Sequence, residues 1–186
     1  MENTKIFLPG TTIEVTLDKK GISNGVLSNI FMTGGLVLSQ MSQLTGLEPY
    51  IIQNWIKRGF LSPPVRKQYS RRQFCRVVII NMLKESLQLE KIVSLLTYIN
   101  GQLDDESDDL IDDSKLYDYY VDLLFRIESE AVETKDYGKI VTEEVKDYTE
   151  PKEGSRERLE KVLVIMLYAH YAARMMKKAE ELLTAL

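Results

Sequence analysis

Residues 38–61, LSQMSQLTGLEPYIIQNWIKRGFL, decide how this chain folds. Leu38, Met41 and Leu44 recur at a spacing of three, which puts them on one side of a short helix with Ser39 as its expected N-cap. Thr45-Gly46 ends that helix with a residue suited to a positive φ. Pro49 fits the first turn of a second helix, where its missing N–H leaves no bond unmade, and Ile52, Trp55 and Ile56 supply the buried side. Helices joined this tightly cross over a small shared core. Met41, Leu47, Ile52 and Trp55 fall where that core needs them, with small Ser42 at the crossing. The result is a helix-turn-helix whose second helix turns Tyr50, Ile51, Gln53, Asn54 and Lys57 outward.

The flanking sequence extends this unit. Ser62 to Tyr69 cannot be helical through Pro63 and Pro64, so it forms a loop or short hairpin. Ser70, with Gln73 three residues on, is a capping-box pattern. It opens a helix through Phe74, Cys75, Val77, Val78, Ile79, Ile80, Met82 and Leu83, apolar on nearly every side and therefore central. A shorter helix follows, with Leu89, Ile92, Val93, Leu95, Leu96 and Ile99 inward, and it stops at Asn100-Gly101. Residues 1–35 read as an N-terminal arm with at most a short strand at Thr11 to Leu17. Asp104 to Asp113, DDESDDLIDD, marks a break. Beyond it, Lys115 to Val132 and Arg156 to Leu183 are helical, and Thr134 to Gly154 is less regular. The expected organisation is an arm (1–35), a head (36–101), an acidic linker (102–113) and a helical C-terminal domain (114–186), mainly α throughout.

Charge separates the head from the rest. Residues 1–35 sum to zero, residues 36–101 carry +6 and residues 102–186 carry −10, within an overall −4. A basic segment joined to an acidic one hints at a nucleic-acid-binding head. One histidine and one cysteine cannot build a His triad, a multi-His metal site or a cysteine-rich zinc site. Phosphate-cradling glycine loops are also missing from the sequence, so no enzyme, cofactor or metal is expected. A lone Cys75 forms no internal disulfide, and no basic-then-apolar leader or long apolar run is present. A cytoplasmic protein with no membrane contact is the expectation.

Gln and Asn pair bidentately with adenine in the major groove, which gives the outward amides of the second helix a use; the alternative is an ordinary helical hairpin whose polar face only meets water. Here the motif meets a known one. The run LSQMSQLTGLEPYIIQNWIKRGFLSPP, then RKQYS, a long helix and LQLEKIVSLL, resembles the DNA-binding head of MerR-type regulators, over residues 36 to 96. Closer still, IQNWIKRGF through IINMLKESLQLEKI to YINGQLDDESDDLIDDSKLY is similar to an uncharacterised bacterial family of probable regulators with a MerR-like head. The resemblance implies a winged helix-turn-helix. Trp55 takes the aromatic core position, Gly59 the turn after the reading helix, and Tyr69 the aromatic that ends the wing. Gln53 and Asn54 stand where the MerR-type family has Arg and Tyr, Glu48 stands at the usual Ser cap, and the wing is several residues short.

The expected function is sequence-specific binding of double-stranded DNA in transcription control. Tyr50, Gln53, Asn54 and Lys57 come from the reading helix, and Arg66, Lys67 and Tyr69 from the wing; Arg71 and Arg72 of the following helix either touch phosphates or form a solvated face. Two rivals stand beside it: a protein-interaction module on a degenerate helix-turn-helix, and a small excisionase-like DNA-architectural factor. Cys75 is expected in the core and His170 as a partly buried structural residue. The acidic tract lacks the glycine of a calcium loop and reads as a solvated linker, with fold-back onto the basic head as the alternative. Leu159, Val162, Met166, Ala169, Ala173, Met176 and Leu183 form a 3-4 stripe read first as intradomain core and second as a dimer seam. A homodimer is expected, with an unknown small-molecule or protein effector possible at the tyrosine-rich C-terminal region.

Overall fold

The computed structural model describes residues 5–16, 20–103, 105 and 107–186. It is mainly helical. A two-stranded antiparallel hairpin, β1 (Lys5–Phe7) and β2 (Glu14–Thr16), pairs Ile6 with Val15. Then come α1 (Ile22–Ile30), α2 (Leu38–Thr45), α3 (Pro49–Lys57), α4 (Arg71–Leu83), α5 (Leu89–Asn100), α6 (Asp113–Glu130), a single 3-10 turn (Thr134–Asp136), α7 (Tyr137–Glu144) and α8 (Ser155–Thr184). No helix among the described residues is long and apolar enough to cross a membrane.

The centre is α4. Every residue from Gln73 to Ile80 is buried, because α2, α5, α6 and α8 all pack against this helix. Its apolar residues on every side are what such a position demands. The Ser70–Gln73 capping box forms as the sequence indicates: Gln73 N–H donates to Ser70 Oγ (3.2 Å) and Ser70 N–H to Gln73 Oε1 (2.9 Å).

Three expectations are corrected. Residues 22–30 are not an irregular arm but the helix α1, with Leu27 fully buried and Ser23 Oγ donating to Asp118 Oδ1 at 2.7 Å. Gly21 and Gly25 mask it in the sequence; Gly21 is its N-cap, and tertiary packing on α6 outweighs the low helix propensity of Gly25. Ser39 does not cap α2. Val37 occupies the cap, and Gln40 Oε1 accepts its N–H at 2.9 Å.

Residues 107–113 of the acidic tract are not a solvated linker, and Asp104 and Glu106 lie outside the described residues. Leu110 and Ile111 are buried, Leu110 N–H donates to the Ile99 carbonyl (3.1 Å), and Tyr148 Oη donates to the Leu110 carbonyl (2.6 Å). Asp109 and Asp113 pair with Arg72 and Arg76 of α4. Two apolar residues inside the acidic run are buried and guanidiniums stand opposite its carboxylates, which holds the run against α4. A single core accordingly runs from Leu8 to Ala169 and takes in Leu110 and Ile111.

The last helix divides along its length. Leu159, Val162, Met166 and Ala169 are buried within the chain, whereas Met175, Met176, Leu182 and Leu183 are exposed. Cys75 is buried and its thiol is pushed up by desolvation, as befits a core residue. His170 is partly buried, shares a 2.7 Å hydrogen bond with the Tyr120 hydroxyl, and has its pKa lowered by burial to about 4.

Candidate nucleic-acid interface

The helix pair α2–α3 is held by bonds at its turn. Gly46 takes φ 69° and its N–H donates to the Ser42 carbonyl (2.9 Å), a left-handed cap that a β-carbon would strain. Ser42 Oγ donates to the Leu47 carbonyl (2.6 Å) and Thr45 Oγ1 to the Met41 carbonyl (2.7 Å). Met41, Leu47, Ile52 and Trp55 are buried together. Two braces from outside the pair went unseen in the sequence. The Thr12 N–H and Oγ1 donate to the Leu44 and Gln43 carbonyls (2.9 and 2.7 Å), covering groups that the end of α2 leaves open. Asn81 Nδ2 donates to the carbonyls of Gly10 (3.0 Å) and Thr45 (3.1 Å). Nothing local marks Thr12 or Asn81 for these roles, which span 31 to 71 residues of sequence.

With that core fixed, α3 exposes Tyr50, Gln53, Asn54 and Lys57, and Tyr50 is 67% exposed. Ile51 is half-buried and leaves the outward set. None of the four exposed side chains is hydrogen-bonded or ion-paired among the described residues. The next cation, Arg58, is spoken for: it donates to Glu90 Oε1 (2.6 Å) and lies over the Phe60 ring at 4.4 Å.

The segment after α3 is a minimal hairpin. Val65 and Gln68 exchange both backbone bonds (3.1 and 2.9 Å) around Arg66 and Lys67, whose φ values are 51° and 65°. Positive φ at both central positions is a type I′ turn, normally the territory of Asn and Gly. Two exposed cations occupy it instead. Gln73 Nε2 anchors the base, donating to Ser62 O, Ser62 Oγ and Pro63 O (2.9, 3.1 and 3.0 Å).

Three of the nine expected contact residues fall elsewhere. Tyr69 is 3% exposed and exchanges backbone bonds with Leu36 (2.9 and 2.7 Å); burial pushes its hydroxyl up. It pins the hairpin's end and does not face solvent. Arg71 donates to Asp118 Oδ2 (3.0 Å), Asn24 Oδ1 (3.0 Å) and Ser28 Oγ (3.1 Å), tying α4 to α6 and α1. Arg72 pairs with Asp109. The exposed set is therefore Tyr50, Gln53, Asn54, Lys57, Arg66 and Lys67, two amides and a phenol with three cations.

The curated protein "Uncharacterized protein YkrK" of Bacillus subtilis (strain 168) is 27% identical over 114 residues, 58% of this chain. The chain spans about half, 49%, of that relative's length. No solved structure matches. The model of the family described as "Domain of unknown function (DUF1836)" matches residues 27–120, from within α1 through the helix pair, the hairpin and α4 to the middle of α6, so the matched unit includes the acidic tract and its arginine partners. On a match covering half of its length, the chain belongs to the DUF1836 family.

Proposed function

We propose that this protein is a sequence-specific DNA-binding transcriptional regulator with a MerR-like winged helix-turn-helix. One observation carries the reading: α3 presents Gln53 and Asn54 without partners among the described residues while its other face is locked into the core. Adjacent amides on the exposed side of a short, rigid second helix suit adenine edges in the major groove. The Arg66-Lys67 turn supplies cations for backbone phosphates, with its geometry held by the Val65–Gln68 bridge and the Gln73 anchor. Non-glycine residues in left-handed conformations cost about 1–3 kcal/mol each, and such strain concentrates at functional positions.

The protein acts as a homodimer. Met175, Ala179 and Leu182 recur at 4-3 spacing on the exposed end of α8, a stripe distinct from the buried one. Lys177 precedes Glu180 there, so two copies running antiparallel bring these opposite charges together, while Arg174 and Lys178 pair with Glu128 and Glu181 within the chain. Two head units related by a two-fold axis fit the half-site pattern that helix-turn-helix dimers read.

Selection of bound fragments from random duplex DNA by the whole chain tests the reading. A recurring motif that disappears with Gln53→Ala/Asn54→Ala supports it. A folded protein that enriches nothing would favour the protein-interaction rival.

A further inference from the structure

Three guanidiniums open α4, and each meets a carboxylate from 37 or 47 residues further along. For Arg71 and Arg76 this is structural, since Arg71 also holds Asn24 and Ser28 of α1, and Arg76 Nε donates to the Phe60 carbonyl in the buried interior. Arg72 is different. Its partner Asp109 lies in residues 107–112, the irregular stretch between α5 and α6.

Arg72 is crowded by anions. Besides Asp109, Asp112 and Asp113 lie 4.0 and 3.9 Å from its Nε. Asp109 keeps its Oδ1 buried without a hydrogen-bond partner among the described residues, and so does Asp108. Burial pushes the Asp109 carboxyl up even with a guanidinium against it. Its ionised form is thus poorly solvated in the place it occupies. Arg72 also lines a cleft of about 440 Å³ with Val65 and Gln68 of the hairpin, Ser70, Gln73 and Asp113. The cation bound by Asp109 therefore adjoins the hairpin whose tip carries Arg66 and Lys67.

We propose that residues 107–112 act as an internal phosphate mimic: Asp109 holds Arg72 in the free protein, and a DNA phosphate replaces it when the hairpin meets the duplex. This rests on the DNA-binding reading and adds regulation to it. The segment restrains non-specific affinity by occupying one cation that the backbone would otherwise take. Its seat is Gly101, at φ 56°, where a Cβ would overlap the Asp108 carboxyl; Asp108 Oδ2 accepts the Gln102 N–H at 3.0 Å. A side chain at position 101 would thus push the Asp108 carboxylate off the Gln102 N–H, loosening the segment's seat without changing its charge.

The test is anisotropy of a short random-sequence duplex titrated with the whole chain across a salt series, with folding checked by circular dichroism. Asp109→Asn, which removes the internal competitor, is expected to tighten binding roughly fivefold to tenfold at about 0.1 M salt while keeping the log–log salt slope near the parent's, since the same phosphate contact forms in both complexes. Gly101→Ala is expected to tighten binding as well, and Arg72→Gln to cancel the gain of Asp109→Asn. Glu153→Gln removes the same charge from an exposed turn and is expected to leave binding near the parent's. If the parent shows a steep slope and Asp109→Asn matches Glu153→Gln, the mimic is overturned and the DNA reading stands. Flat salt curves for the folded parent and every variant would overturn the DNA reading, and the mimic with it.

Discussion

The Arg76 guanidinium donates to the Asp113 carboxylate across 3.2 Å, and the side chains are 6% and 1% exposed. Asn100 Nδ2 donates to the other oxygen of Asp113 (3.0 Å), and the Ile111 N–H donates to Asn100 Oδ1 (3.3 Å). One buried pair thereby joins α4, α5 and the start of α6, across the boundary that composition suggests. Asp113→Ala leaves a buried guanidinium uncompensated and is expected to cost about 3–5 kcal/mol. Urea unfolding should show one transition for both halves of the parent chain. Two separated transitions would contradict the shared core, as would stable folding of the isolated fragment 36–101, whose α4 would lose its cover from α6 and α8.

Trp55 is 2% exposed beneath the turn of the helix pair. Trp55→Ala should cost about 3–5 kcal/mol through the cavity it leaves. Gln53→Ala and Asn54→Ala, both exposed, should leave the melting temperature within error. On a selected DNA site each of the latter should lose about 1–3 kcal/mol, relax preference at one base and keep the salt slope. Equal binding by parent and variants would remove α3 as the reader.

A substitution at Lys67 is expected to separate binding from stability. Lys67→Gly relieves the left-handed strain while enlarging the unfolded ensemble, for a net gain of about 0.5 kcal/mol. It also removes a cation, so binding should weaken about equally on all sequences and the salt slope should fall by about one. A variant that melts later yet binds more weakly is the expected result; unaltered binding would exclude the hairpin tip from the interface.

His170 makes the fold acid-sensitive. Its folded pKa of about 4 lies below the ordinary value near 6.5, so between those pH values the unfolded chain binds a proton that the native one refuses. Stability from this group is present above the upper value and is lost as pH falls toward the lower, by about 2–3 kcal/mol. Arg174 opposes the proton, Glu128 favours it, and Tyr120 shares the ring nitrogen's hydrogen bond. The raised pKa values of Asp109, Asp113, Asp118 and Asp122 work the other way in acid. The measurement is therefore the difference between the parent and His170→Gln across that window. Parallel pH curves would refute the assignment.

Sedimentation at micromolar concentration should give a homodimer. Met175→Glu with Leu182→Glu, both on the exposed end of α8, should give a folded monomer. A dimer that survives both changes would place the contact elsewhere.

The sequence by itself determined the helix pair, because its signals are local. Leu38 to Trp55 holds the 3.6 period, the turn glycine and the N1 proline within 18 residues, and the exposed amides of α3 follow from that period alone. The capping box at Ser70 and the all-round apolar α4 were equally legible. Only the tertiary structure decided which basic residues stay free. Arg66 and Lys67 sit at a turn, while Arg71, Arg72 and Arg76 are matched by carboxylates 37 or 47 residues away. It also decided that Tyr69 is buried, that α1 is a helix despite its glycines, and that an acidic run folds against the head. A charge run reads as solvated until its counter-charges are known. Those counter-charges come from elements that approach only when the chain closes on itself, and the free energy of desolvating and pairing them belongs to the whole fold and not to any window of sequence.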